Sequence, residues 1–194
     1  MSLTFANKVT IGRILAVPFF IATVLYYSPE RDYLRWVALG IFLFAGISDI
    51  VDGYVARRWH QKTQAGTLLD PLADKFLVIS AYICLYIVGN RLPSVQFPLW
   101  LVVIVISRDV ILVIGSALIY MLSGRLRVDV AKWGKIATFL QDVTIIGMLV
   151  QWHLSLALWY LTAGFTLVSG LNYIRNGIKI MNESPDSLEG EKTL

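Results

Sequence analysis

Charge is the scarcest property of this chain: 15% of its 194 residues are Asp, Glu, Lys or Arg, while 57% are hydrophobic. Soluble domains carry about a quarter of their residues as charges. With a mean hydropathy of +0.66, an ordinary water-soluble globule is excluded and an integral membrane protein is expected. Cysteine is nearly absent. The single Cys84 rules out a disulfide framework, a cysteine-rich zinc site and an iron–sulfur cluster, and its apolar surroundings read as a packing or lipid-facing thiol. Of the two histidines, His60 and His153, neither belongs to a Ser/His/Asp spacing that would compete as a nucleophilic site. Long polar stretches are missing too. Six spans of about 20 residues leave too little chain for a second folded domain, so any chemistry must sit on the helices. The net charge of +4 falls between apolar runs without forming a nucleic-acid-binding stripe, which favours anionic lipid or a phosphate substrate as partner. No small-residue cleavage pattern follows the first apolar run, which meets Tyr26-Tyr27-Ser28-Pro29, so a cleavable signal is not expected.

What is present is a succession of apolar runs punctuated by polar residues, Gly and Pro. They predict an all-α protein with transmembrane helices near 10–27, 35–53, 67–89, 97–122, 133–152 and 155–175. Residues 1–8 read as a short amphipathic piece along the surface. Positive residues gather on one side: Lys8 and Arg13, then Arg57, Arg58 and Lys62, then Arg125, Arg127, Lys132 and Lys135, and finally Arg175, Lys179 and Lys192. The other side holds Arg31, Arg35 and Arg91, beside the interfacial aromatics Tyr26, Tyr27, Tyr33 and Trp36. The positive-inside rule therefore puts both termini and the second and fourth loops in the cytosol. One membrane domain over 1–181 and a polar tail over 182–194 complete the organisation.

Asp49, Asp52, Asp70 and Asp74 carry the chemistry, because each lies at or just inside the cytosolic end of an apolar helix, where a lone carboxylate is costly. Asp49 and Asp52 are i,i+3 neighbours on one helical face, and Asp70 and Asp74 are i,i+4 neighbours on the next helix. Singly, each reads equally well as a helix cap or loop charge. Four carboxylates packed together would repel and take up protons unless divalent cations neutralise them. Oxygen ligands without soft donors favour Mg²⁺ or Mn²⁺ over Zn²⁺. Gly53 and Ala56 keep the neighbouring surface shallow, Arg57 offers a phosphate-matching fork, and Gly66 lets the backbone approach a ligand. This combination describes a nucleotide or diphosphate seat beside a metal centre. Pro71, directly after Asp70, suits a first helical turn and would make Asp70 the start of the third helix.

The complete spacing is Asp49-x2-Asp52-Gly53-x2-Ala56-Arg57-x8-Gly66-x3-Asp70-x3-Asp74. At every signature position it resembles the CDP-alcohol phosphatidyltransferase family, and length, helix number and motif placement extend the likeness over most of the chain. The resemblance implies six transmembrane helices around a polar cavity open to the cytosolic leaflet, a homodimer, and a bacterial cell membrane as location. It implies transfer of a phosphatidyl or similar group from a CDP-linked donor to an alcohol, with release of CMP. By position, Asp49, Asp52, Asp70 and Asp74 would hold two divalent ions, and Asp74 would also be the base nearest the acceptor hydroxyl. Asp52, Gly53, Ala56, Arg57 and Gly66 would contact the cytidine diphosphate.

The acceptor is read from the later helices. Arg108-Asp109 lies inside the fourth apolar run, and Lys132, Lys135, Thr138 and Gln141 follow one another at i, i+3, i+6 and i+9 on the fifth. Snorkelling and packing account for these residues in a bland reading; alternatively, Arg108 and Lys135 bind the phosphate of an anionic acceptor. Gly134-Lys135-Ile-Ala-Thr138-Phe-Leu-Gln141 and the opening Asn7, Thr10 and Arg13 are similar to phosphatidylglycerophosphate synthases, which use glycerol 3-phosphate. Those synthases usually carry Arg-Glu on the fourth helix and a second arginine eight residues on, where this chain has Asp109 and Ser116. Ile106-Ser107-Arg108-Asp109-Val110 instead resembles cardiolipin synthases, whose acceptor is phosphatidylglycerol. Transfer from CDP-diacylglycerol to glycerol 3-phosphate is the leading expectation, with phosphatidylglycerol as the alternative acceptor. Intramembrane carboxylates also mark ion or proton pathways, but these cluster at one membrane side, without broken midplane helices or related halves.

Overall fold

The computed structural model describes the backbone of residues 5–59, 64–92, 98–123 and 132–182, and the side chains of 12–48, 75–92, 98–115 and 132–176. Among the described residues the protein is entirely helical, with α1 (Phe5–Leu25), α2 (Tyr33–Trp59), α3 (Gln64–Val88), α4 (Leu99–Ser123), α5 (Lys132–Val150) and α6 (Ser155–Asn182). Every apolar run becomes one helix. Two expectations are corrected. Residues 5–8 are the first turn of α1, continuous with the rest of the helix, and residues 1–4 of the expected surface piece lie outside the described residues. Asp70 does not start α3: the helix begins at Gln64, so Pro71 stands in its interior, where its ring removes one intrahelical hydrogen bond.

Buried residues recur at helical spacing, which fixes each helix's inner stripe. On α3 the stripe is Leu77, Val78, Ala81, Tyr82, Leu85 and Val88, while Phe76, Ile83 and Ile87 face outward. On α4 it runs Leu101, Val105, Arg108 and Asp109, so the two ionisable residues continue an otherwise apolar inward face. On α6 it runs Ser155, Trp159, Thr162, Thr166 and Ser169. Cys84 is buried among the core residues. Outside, large apolar side chains stay exposed on every helix, with Phe44 at 72% and Phe19 at 67%. A water-soluble monomer rarely exposes so much contiguous apolar surface. Lys132–Val150 is, among the described residues, long and apolar enough to cross a membrane.

The helices pack as two groups. α1 lies along α2 and α3, and α6 lies along α4 and α5, whereas thinner contacts of α2 with α5 and of α3 with α4 and α5 join the groups. Polar bonds cross that thin seam. Arg35 on α2 donates through Nη1 to the Leu149 carbonyl of α5 at 2.8 Å, Tyr82 on α3 donates to the Gln141 carbonyl of α5 at 3.3 Å, and Lys75 on α3 pairs with Asp109 on α4 at 3.0 Å. Arg91, just after α3, donates to the Leu25 and Tyr27 carbonyls at 3.3 and 3.5 Å. These bonds bring the ends of α1 and α3 together, and the start of α2 beside the end of α5. Alternation of the chain then gathers the starts of α3 and α5 at the opposite end.

The end of α5 shows how a helix terminus is satisfied here. Gln151 adopts the left-handed region at φ 60°, its N–H reaching the Met148 carbonyl at 3.1 Å and the Trp152 N–H reaching Gly147 at 2.8 Å. This is a Schellman closure. Arg35 takes the next carbonyl, Leu149, and adds a positive charge at the negative end of the helix.

Candidate active site

The buried stripe of α2 includes Ala38, Phe42 and Ala45, and three- and four-residue steps carry the same register through positions 49 and 52. On α3, steps back from Val78 reach positions 74 and 70. The backbone thus sets the four aspartate positions in line with the inward stripes of two consecutive helices. The side chains of Asp49, Asp52, Gly53, Ala56, Arg57, Gly66, Asp70 and Asp74 lie outside the described residues, although their backbones belong to α2 and α3.

Next to this motif the side chains are described. Lys75, the residue after Asp74, places Nζ at 3.0 and 3.1 Å from the two oxygens of Asp109. Asp109 is fully enclosed and also accepts from Arg108 Nη1 at 2.8 Å. Arg108 is 6% exposed, and its Nη2 donates to Ser169 Oγ on α6 at 2.8 Å. One carboxylate thus joins two cations, and α3, α4 and α6 meet in a single polar cluster. The formal charge of Lys75, Arg108 and Asp109 together is positive by one. Among the described residues, Arg108 Nε is buried without a hydrogen-bond partner, so part of a guanidinium that has five N–H donors remains unspent.

Lys135 is exposed on the first turn of α5. It lies six residues before Gln141, and Lys75 lies seven before Tyr82, the residue bonded to the Gln141 carbonyl. At about 1.5 Å per residue, Lys135 and Lys75 stand at nearly one level along the bundle. The expected face Lys132, Lys135, Thr138 and Gln141 runs from exposed to fully buried. Thr138 bonds its own helix at the Gly134 carbonyl, 3.1 Å away, and Gln141 Nε2 approaches Thr166 Oγ1 at 3.5 Å. Thr144 and Thr162 hydroxyls share a 2.7 Å bond one turn further along. Lys75, Ser169 and the half-buried Asp142 are polar members of this interior that sequence reasoning did not single out.

The protein thus sets a paired-aspartate motif on two consecutive helices beside a buried cationic cluster. The chain belongs to the CDP-alcohol phosphatidyltransferase family, whose model matches residues 3–168. Over 174 residues it is 30% identical to a Haemophilus influenzae protein named CDP-diacylglycerol–glycerol-3-phosphate 3-phosphatidyltransferase, covering 86% of this chain and 89% of that one. A Salmonella paratyphi A protein of the same name is 32% identical over 183 residues, 90% of this chain and 94% of its own. A Mycobacterium tuberculosis protein named a probable phosphatidylglycerophosphate synthase is 32% identical over 181 residues, 90% of this chain and 81% of its own.

Proposed function

We propose that this protein transfers the phosphatidyl group of CDP-diacylglycerol to glycerol 3-phosphate and releases CMP. The observation that carries the reading is the unbroken aspartate motif from Asp49 to Asp74 inside a family match spanning residues 3–168. The names of the relatives, which specify glycerol 3-phosphate, supply the acceptor. The buried, positively charged cluster at Arg108 agrees with an acceptor that brings its own phosphate.

In this reading residues 1–181 form one domain of six spans around a polar cavity open to the cytosolic leaflet of a bacterial cell membrane, followed by the tail 182–194. Both termini are cytosolic, and the protein is a homodimer. The exposed apolar perimeter supports the spans, and the gathering of Arg31, Arg35 and Arg91 away from the starts of α3 and α5 supports the orientation.

The donor set, four carboxylates without a soft ligand, fits two hard divalent ions, Mg²⁺ or Mn²⁺. Asp49, Asp52, Asp70 and Asp74 would hold them. Bound there, the ions would supply Lewis-acid stabilisation of charge on the diphosphate and on departing CMP. Asp52, Gly53, Ala56, Arg57 and Gly66 seat the CDP portion, the small residues admitting the nucleotide and Arg57 forking onto phosphate oxygens. Arg108 and Lys135 hold the acceptor phosphate and so orient its free hydroxyl. A carboxylate oxygen of Asp74 takes the hydroxyl proton as the acceptor oxygen bonds to the phosphorus bearing diacylglycerol. The bond from that phosphorus to the oxygen shared with the other phosphate then breaks, and CMP carries away its electron pair.

The test is an acceptor panel with purified protein, CDP-diacylglycerol and Mg²⁺ or Mn²⁺, with the lipid product identified by mass. Phosphatidylglycerophosphate from glycerol 3-phosphate is expected. Formation of cardiolipin from phosphatidylglycerol, with glycerol 3-phosphate left unused, would replace the acceptor, in keeping with Asp109 and Ser116. Failure to release CMP with any alcohol would reject the transferase reading.

A further inference from the structure

Resting on glycerol 3-phosphate as acceptor, we propose that Asp109 is a positioning residue that, with Ser169, locks the Arg108 guanidinium in the orientation that receives the acceptor phosphate. Three observations carry this. Asp109 is wholly enclosed in the bundle, a costly place for a carboxylate unless its partners need it there, and it is shared between Lys75 and Arg108. The two terminal nitrogens of Arg108 are each fixed, Nη1 by Asp109 and Nη2 by Ser169, both at 2.8 Å. A planar guanidinium held at both ends cannot rotate about its own axis. Its buried Nε has no hydrogen-bond partner among the described residues, and Lys75, Arg108 and Asp109 together carry one positive charge. An enclosed cation with an unspent donor calls for an anion, and the Asp109 and Ser169 bonds fix the direction from which it is met.

Lys75 extends the device. It follows Asp74 on α3, so its bond to Asp109 ties the turn that carries the proposed base to the arginine that holds the acceptor. Acceptor hydroxyl and base are thereby referred to one carboxylate. A Cβ built at Gly170 would stand 3.6 Å from Arg108 Cγ, an ordinary contact distance. The stem of Arg108 therefore lies against α6 while its head reaches Ser169.

The experiment measures CMP release by the full-length protein in mixed micelles, varying glycerol 3-phosphate at saturating CDP-diacylglycerol and then the reverse. Wild type is compared with Asp109→Asn, Asp109→Glu and Ser169→Ala. Losing the fixed orientation of a charge-assisted contact should raise KM for glycerol 3-phosphate about tenfold in Asp109→Asn and severalfold in Ser169→Ala, with kcat and donor KM within about twofold. Asp109→Glu keeps the charge and should return KM most of the way to wild type. Asp109→Asn leaves two cations short of a counter-charge, so if it does not fold, Ser169→Ala, which keeps both ion pairs, decides the matter. An acceptor KM unchanged in folded Ser169→Ala, or a fall in kcat with both KM values unmoved, would overturn the proposal and leave the cluster a purely structural tie. A wild-type enzyme that turns over another alcohol but not glycerol 3-phosphate is a separate result, which removes the acceptor reading on which the proposal rests.

Discussion

Arg35 offers the most direct measure of what holds the two helical groups together. Its Nη1 donates to the Leu149 carbonyl at 2.8 Å, beyond the point where α5 supplies its own N–H partners. The guanidinium also lies 5.0 Å from the Trp36 ring centroid and grips Asp32 at 2.8 and 2.9 Å. A hydrogen bond from a charged donor contributes about 1.5–3 kcal/mol, and an exposed cation–π contact about 0.5–1 kcal/mol. The Asp32 pair adds little, because that carboxylate is half exposed to solvent. Arg35→Met should therefore cost about 2–4 kcal/mol, which for a chain of this size lowers Tm by about 5–15 °C. Cys84, the only cysteine and buried in the native fold, allows the measurement in detergent, since a maleimide dye reacts with it on unfolding. Asp32→Ala should shift Tm much less, and Arg35→Lys should fall between. Equal losses in Asp32→Ala and Arg35→Met would assign the effect to the exposed ion pair, and an unchanged Tm in Arg35→Met would refute the capping argument altogether.

Other outcomes are accessible in the same preparation. The Arg35 hydrogen bond holds the Asp32 carboxyl below its usual range, so its small stabilising contribution is present above the ordinary carboxylate pKa and is lost as pH falls through the lowered value. A pH series of Tm should show that acid limb in wild type and not in Arg35→Met. Asp70→Asn and Asp74→Asn should each reduce kcat on the order of 10²–10³ while leaving the protein extractable and folded; near wild-type turnover at saturating metal would reject their assignment. Arg108→Gln and Lys135→Met should raise KM for glycerol 3-phosphate about tenfold or more, with CDP-diacylglycerol KM changing less. Gly115→Val should cost about 1–3 kcal/mol, measurable as a lowered Tm, because a Cβ at Gly115 meets Tyr173 Cε1 at 2.8 Å and Oη at 3.0 Å, displacing the hydroxyl from the Leu112 carbonyl.

Helix number and approximate position were legible because an apolar run of membrane-spanning length has few other ways to satisfy its backbone. Boundaries were less so. Gln64 and Ala65 carry α3 several residues beyond its apolar portion, and α6 extends past Arg175 to Asn182; hydropathy registers only the stretch that meets apolar surroundings. The grouping of α1 with α2 and α3, and of α6 with α4 and α5, leaves no mark in a one-dimensional profile. Helix contacts in such a bundle depend on which stripes fit closely, and buried Ala38, Ala45, Ala81 and Ala163 become recognisable as close-approach positions only once the stripes are known.

The site divides in the same way. The aspartate motif stands out in the sequence because its spacing is local, and its side chains lie outside the described residues. Arg108 and Asp109 were harder. Adjacent positions diverge by about 100° around a helix, so a mutual ion pair was not assured, yet the structure contains one at 2.8 Å. The divergence describes where the Cβ atoms start, whereas an arginine carries its charge several bonds away and can turn back toward a neighbour. Lys75 adjoins Asp74 and so reads in the sequence as a flank of that motif. Its own position carries a signal: a lysine eleven residues inside a helix whose inward stripe is apolar needs an anion beside it. α4 runs antiparallel to α3, so Asp109, fourteen residues before the end of α4 at Ser123, stands about three residues from the level of Lys75. The Lys75–Asp109 bond at 3.0 Å joins the turn of α3 proposed to bear the base to the arginine proposed to hold the acceptor.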